Sequence, residues 1–254
     1  MSTSSERVSF FGALGTFWGL IRGKQQNLWD NARFILAEAP VDRAQASRML
    51  PAMLKLADPP RATLFIADYT KTSFTVPYRE AALLLHVRHP FGQGLHCPWM
   101  IVDDDTALIY GRELLGYPKK MGRFEFKEEG DKVSGSVYRR GVKVLAMEGT
   151  RGQRQSNPLP VFDLKTFNVG GPASWFLLNP IWFFRPREVI HESYDLEIKL
   201  TLEPSEWDPI AEVVTGPPTS ARFVAMDIVS SRYNLIAGLA GPQHQARNFN
   251  LRFR

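Results

Sequence analysis

Two adjacent lysines, Lys119 and Lys120, close the segment Gly116-Tyr117-Pro118-Lys119-Lys120. Leu114, Leu115, Tyr117 and Met121 flank them in sequence. A lysine in apolar surroundings loses hydration of its ammonium form, which makes the free amine available near neutral pH. A free amine adds to a ketone and, after loss of water, leaves an imine. These residue types therefore point to imine chemistry on a lysine. Consecutive residues of a strand face opposite ways, so only one of the two can enter a given pocket. The competing reading is a pair of solvated lysines at a turn.

The elements that must position the pair are mostly short strands. Ala62 to Tyr69, Glu80 to Val87, Trp99 to Val102 and Ala107 to Tyr110 are apolar runs, the last two flanking a turn at Asp103, Asp104 and Asp105. Arg123 to Lys127 alternates, and Val133 to Tyr138 and Val142 to Met147 are joined at Arg140-Gly141 as a hairpin. Val189 to Ile190, Asp195 to Leu202 and Ala211 to Val214 continue the series. One helix is signalled between Pro40 and Pro51, with Asp42 as its N-cap. The expected fold is mainly β (α+β): a single antiparallel domain, barrel- or cone-like, with few helices. Residues 1–30 are expected to form an N-terminal arm and residues 31–254 the domain.

Composition narrows the function classes. The chain has 254 residues, 44% hydrophobic and 22% charged, ordinary values for a globular protein with a sizeable core. A net charge of +5 is mild and scattered, unlike the concentrated patch of a nucleic-acid binder. The single cysteine, Cys97, excludes an intramolecular disulfide and fits a cytoplasmic setting. The apolar stretch Phe10 to Ile21 is short of the ~20 residues of a membrane span and carries three glycines. It is expected to pack on the core or on a neighbouring subunit. His86, His89, His96 and Cys97 match no zinc spacing, and the three aspartates lack the other ligands of a calcium loop. Trp175, Phe176, Trp182, Phe183 and Phe184 form an aromatic cluster that suits a hydrophobic lid or pocket wall, or packing in the core or at a subunit interface.

The run Gly111-Arg-Glu-Leu-Leu-Gly-Tyr-Pro-Lys-Lys120 resembles the signature of the acetoacetate decarboxylase family. Asp227-Ile-Val-Ser-Ser231, Thr215-Gly-Pro217 and Tyr78-Arg79-Glu80 are further, shorter points of resemblance. The resemblance implies that Lys119 is the Schiff-base lysine, Lys120 its neighbour and Glu80 an active-site glutamate. It implies Arg33 as the arginine that holds a substrate carboxylate. It places Phe65 where the family has a second pocket glutamate, with Asp68 the nearest acid. That replacement suits a bulkier or more apolar substrate. Arg112 is expected to pair with Glu113 or to serve the pocket, and Tyr233 to be a pocket acid or a packed core residue.

The resulting expectation is a carbon–carbon lyase that decarboxylates a β-keto acid through an imine on Lys119. No cofactor is expected, because the iminium is itself the electron sink. The partners expected are a small-molecule keto acid and further copies of the chain in a homo-oligomer, with neither nucleic acid nor stable membrane insertion. Two alternatives stay open: an aldolase-dehydratase that condenses a pyruvate enamine with an aldehyde, and a non-catalytic carrier on the same fold.

Overall fold

The computed structural model describes residues 27–162, 165–171, 174, 178–230 and 235–253. The expected arm therefore lies outside the described residues up to residue 26, and Tyr233, Ser231, Trp175 and Phe176 lie outside them as well. Strand β1 (Asn27–Pro40) leads into α1 (Arg43–Arg48), where the Asp42 carboxylate accepts from the Gln45 N–H at 2.7 Å. The N-cap inferred from sequence is therefore in place. The chain continues through β2 (Lys55–Leu56), β3 (Arg61–Tyr69), β4 (Lys71–Thr72), β5 (Tyr78–His89) and β6 (Gly92–Val102).

Ala107 to Tyr110 is not a strand but part of α2 (Asp105–Leu115). The Asp104 carboxylate accepts from the Ala107 N–H at 2.7 Å, and Gly116 closes the helix with φ 72°. Both end signals were present in the sequence, but the short apolar run between them fits either period. Next come β7 (Lys119–Met121), β8 (Arg123–Glu129), β9 (Lys132–Arg139) and β10 (Val142–Arg154). Arg140 and Gly141 both have positive φ, 49° and 84°, which closes the β9–β10 hairpin with the twist its strands require. The remainder is β11 (Lys165–Val169), β12 (Asn179–Phe184), β13 (Arg187–Leu202), α3 (Ile210–Val213), β14 (Ser220–Val229), β15 (Leu235–Ala240), α4 (Pro242–Arg247) and α5 (Phe249–Phe253). Ala211 to Val214, expected as a strand, thus falls largely in the short helix α3.

Among the described residues all fifteen strands belong to one sheet, ordered β15-β12-β11-β6-β5-β3-β1-β14-β13-β10-β9-β8, with β2, β4 and β7 attached beside it. The mainly β reading holds. The sheet is mixed, however, since β7 and β11 both run parallel to β6. Helix α2 is the reason for the first of these: a crossover helix returns the chain in its original direction, which a tight hairpin cannot do. The sheet is also not a closed barrel; β15 and β8 remain its two ends among the described residues. It curls so that β9 lies over β3, close enough that a Cβ on Gly135 would sit 3.0 Å from the Ile66 side chain.

The sheet separates two apolar cores. Ile35, Leu64, Ile66, Leu83, Trp99 and Ile101 face one side. Phe34, Phe65, Tyr69, Met100, Phe184 and Ile228 face the other. No helix among the described residues is long and apolar enough to cross a membrane.

Candidate active site

Strand alternation assigns each lysine to one core. On β7, Lys119 pairs with Met100 of β6 and Lys120 with Ile101. Met100 belongs to the second core and Ile101 to the first, so the two ammonium groups lie on opposite sides of the sheet. Both are buried, at 4% and 6% exposure.

Lys119 faces an apolar cavity, with Nζ 2.7 Å from Glu80 Oε2. Glu80 is itself buried, on β5. Arg79 points to the other face and pairs with Asp68 and Asp103. Tyr69 Oη donates to Glu80 Oε1 at 3.2 Å, and the Tyr78 ring lies 5.3 Å from Lys119 Nζ. Burial, and then the Glu80 charge, push both tyrosines well above the usual phenol value, so both remain O–H donors at neutral pH. The cavity walls are aromatic, formed by Trp29, Phe65, Phe74, Tyr110, Phe162 and Phe184 among others.

Three backbone features build this wall. A β-bulge in β1 between Trp29 and Ala32 shifts the alternation, which lets Trp29 share a face with Phe34. Asn31 at that bulge has φ 50°, and its N–H donates to Asp227 Oδ1 at 2.8 Å. The neighbouring Ile228 lines the cavity, which accounts for two residues of the Asp227 to Ser231 segment.

The third feature is Gly111 on α2. A Cβ there would lie 2.3 Å from Lys119 Cε, 2.4 Å from Cδ and 2.9 Å from Nζ. Only a glycine lets the lysine stem lie against the helix. Gly111→Ala should keep the fold, because alanine favours helix, but must move the amine. A displacement of that order is worth about 10²-fold in rate. A near wild-type kcat alongside an unchanged circular dichroism spectrum would rule out this role for Gly111.

Arg112, next on the helix, does not line this cavity. One of its guanidinium nitrogens donates to the Lys119 carbonyl at 3.1 Å and to the Arg252 carbonyl at 2.9 Å. Arg252 in turn donates to the Val169 carbonyl. Arg112 thus fixes the backbone of β7 at Lys119 and ties it to α5. Arg112→Ala should lower kcat about tenfold or more with little change in KM, measured by steady-state kinetics.

Lys120 sits in a different constellation. Its Nζ is 2.9 Å from Asp208 Oδ1, and Arg139 donates to Asp208 Oδ2 at 2.8 Å. Trp99 Nε1 adds a third bond to the same carboxylate at 2.8 Å. Asp208 is fully buried; burial raises its pKa, but its three donors outweigh that and hold it below the usual carboxylate range. Lys120 has only a shared carboxylate, so burial dominates and lowers it from 10.5 to about 8. The folded pKa lies below the unfolded one, so folding releases a proton in that window. Stability should therefore rise between about pH 8 and pH 10.5, by up to ~3 kcal/mol. Denaturant midpoints of the wild type and Lys120→Met across this range check the effect, which should vanish in the variant.

Arg33 does not join the site. It lies on the face of β1 opposite Phe34, and its guanidinium donates to both Glu128 oxygens at 3.1 and 2.9 Å. Asp68 is on that same far face with Arg79, so it does not replace the absent second acid. Phe65 does line the cavity, packed edge-to-face on Phe34 and Phe162. The sequence reading missed Tyr69 and Asp208. Tyr69 shares the parity of Phe65 on β3, which was a usable signal. Asp208 lies in a loop and offered none. Among the described residues no group of histidines, cysteines and acids is arranged to hold a metal. Asp103 accepts from the Arg79 N–H and Asp104 caps α2.

Residues 19–239 match the family model of acetoacetate decarboxylase. An acetoacetate decarboxylase of Acidiphilium cryptum is 28% identical over 124 residues, 49% of either chain. Acetoacetate decarboxylase 1 of Bradyrhizobium diazoefficiens is 30% identical over 126 residues, 50% of this chain and 49% of the relative. The match thus spans about half the length of these curated relatives. Among solved structures, the acetoacetate decarboxylase of Legionella pneumophila superposes with a TM-score of 0.72 at 17% identity, covering 83% of this chain and 86% of that one. The enduracididine biosynthesis enzyme MppR, complexed with pyruvate, superposes with a TM-score of 0.68 at 15% identity, covering 82% and 89%. At these identities the structural likeness shows a common fold.

Proposed function

The chain belongs to the acetoacetate decarboxylase family, and on that premise we propose that it is a lyase that decarboxylates a β-keto acid through an imine on Lys119. The observation that carries this reading is the buried Lys119–Glu80 pair, 2.7 Å apart, facing an apolar cavity. Glu80 takes a proton from the ammonium group, and the free amine attacks the keto carbon. The carbinolamine hydroxyl leaves as water with the proton that Glu80 returns, giving an iminium. The bond between the α-carbon and the carboxylate then breaks. Its electron pair passes into the enamine as CO2 departs. Protonation at the α-carbon and hydrolysis release the ketone and restore the amine. Tyr69, donating to Oε1, leaves Oε2 of Glu80 for this traffic.

The test is reductive trapping. Borohydride with a ketone should add the mass of the reduced imine to Lys119, located by peptide mass spectrometry. Absence of an adduct with every ketone offered would end this reading. Glu80→Gln should still bind ligand but lose about 10²- to 10⁴-fold in kcat. A second reading, condensation of a pyruvate enamine with an aldehyde, is supported by the fold shared with MppR. CO2 release against chain-extended product separates the two. Homo-oligomeric assembly in the cytoplasm belongs to the same proposal, with sedimentation velocity as the measure of the first.

A further inference from the structure

Among the described residues that line the Lys119 cavity, Glu80 and Lys119 are the only charged side chains, and they neutralise each other at 2.7 Å. The arginine expected to grip a substrate carboxylate is bound to Glu128 on the far side of the sheet. Arg112 is committed to two backbone carbonyls. Where the family resemblance expects a second acid, Phe65 packs on Phe162 with ring centroids 6.0 Å apart at 83°. At another wall, Phe74 stands edge-to-face between Trp29, at 5.3 Å and 89°, and Tyr110, at 5.8 Å and 86°. These walls offer ring edges and faces to whatever enters, the geometry that favours another ring.

We propose that the substrate is a β-keto acid with a bulky apolar, ring-bearing tail, bound through that tail rather than through its carboxylate. This rests on the imine reading above. Once the iminium forms, it is itself the counter-charge of the carboxylate two bonds away, so no guanidinium is needed for the step. The carboxylate loses its charge as CO2 leaves, and an apolar surround favours the less charged transition state over the ion. Affinity must then come from the tail, and a short acid such as acetoacetate leaves the aromatic walls unfilled.

The experiment compares 3-oxo-5-phenylpentanoate with acetoacetate as substrates, and their ketone products, 4-phenylbutan-2-one and acetone, as partners in borohydride trapping. The phenyl substrate should have the higher kcat/KM by about ten- to a hundredfold, the range one buried ring supplies. Phe74→Ala should reduce that ratio at least about threefold. Phe65→Glu should reduce it further; should that variant fail to fold, the half-buried Phe74 still decides the matter. Equal or better turnover of acetoacetate, with an adduct on Lys119, overturns the substrate class and leaves the imine standing. An unchanged ratio in Phe74→Ala overturns the assignment of the tail to these walls. No adduct with either ketone overturns the imine and this inference together.

Discussion

Lys119→Gln is expected to abolish both turnover and borohydride trapping, with kcat falling at least about 10⁴-fold. Loss of a covalent nucleophile removes the whole two-step route rather than one interaction, and known nucleophile deletions are of that size or larger. The glutamine amide still reaches toward Glu80, so the buried carboxylate is not left facing apolar walls alone. Lys119→Arg is the sharper companion. It keeps the positive charge beside Glu80, but a guanidinium is not deprotonated in proteins and cannot add to a ketone. It should be equally inactive while still binding ligand. Turnover within tenfold of wild type in either variant would place the nucleophile elsewhere. Lys120→Met, by contrast, should keep trapping on Lys119, because Lys120 faces the other core.

Asp208→Ala should destabilise the fold by about 3–5 kcal/mol. It removes the fully buried carboxylate that the nearly buried Lys120 and Arg139 share. Taking one member from a buried ionic cluster leaves uncompensated charge, which is why such changes exceed ordinary core substitutions. Urea or guanidinium titration measures the change through the midpoint at constant slope. Asp208→Asn should be milder, since its amide oxygen can still accept from Trp99 Nε1. A loss below about 1 kcal/mol in Asp208→Ala would mean that the cluster is not an anchor of β7. The two predictions are linked in structure: Lys120 anchors the strand from one side, and Arg112 holds the Lys119 carbonyl. Together they fix the strand that presents the Lys119 amine to the cavity.

Several parts of this arrangement were legible in the chain because they depend on local chemistry. The strand periods, the Asp42 cap and the Arg140-Gly141 turn follow from side-chain alternation and from φ preferences. These act over a few residues. The divergence of Lys119 and Lys120 follows from the same alternation once both lie in a strand. Helix α2 was misread as strand although its Asp104 cap and terminal Gly116 were visible. Its apolar run is too short for periodicity to distinguish the two.

From the sequence alone came the expectation that Lys119, a lysine in apolar company, works together with Glu80. Tertiary structure decided which charges meet it. Glu80 and Lys119 come from separate elements brought together by β5 and β7 pairing with β6. Arg33 is turned away by the parity of its own strand, and Asp208 reaches Lys120 from a loop 88 residues on. The physical reason is that strand pairing and burial act between distant segments. A side chain's type is written locally, but its partner is set by which face of the curled sheet it occupies.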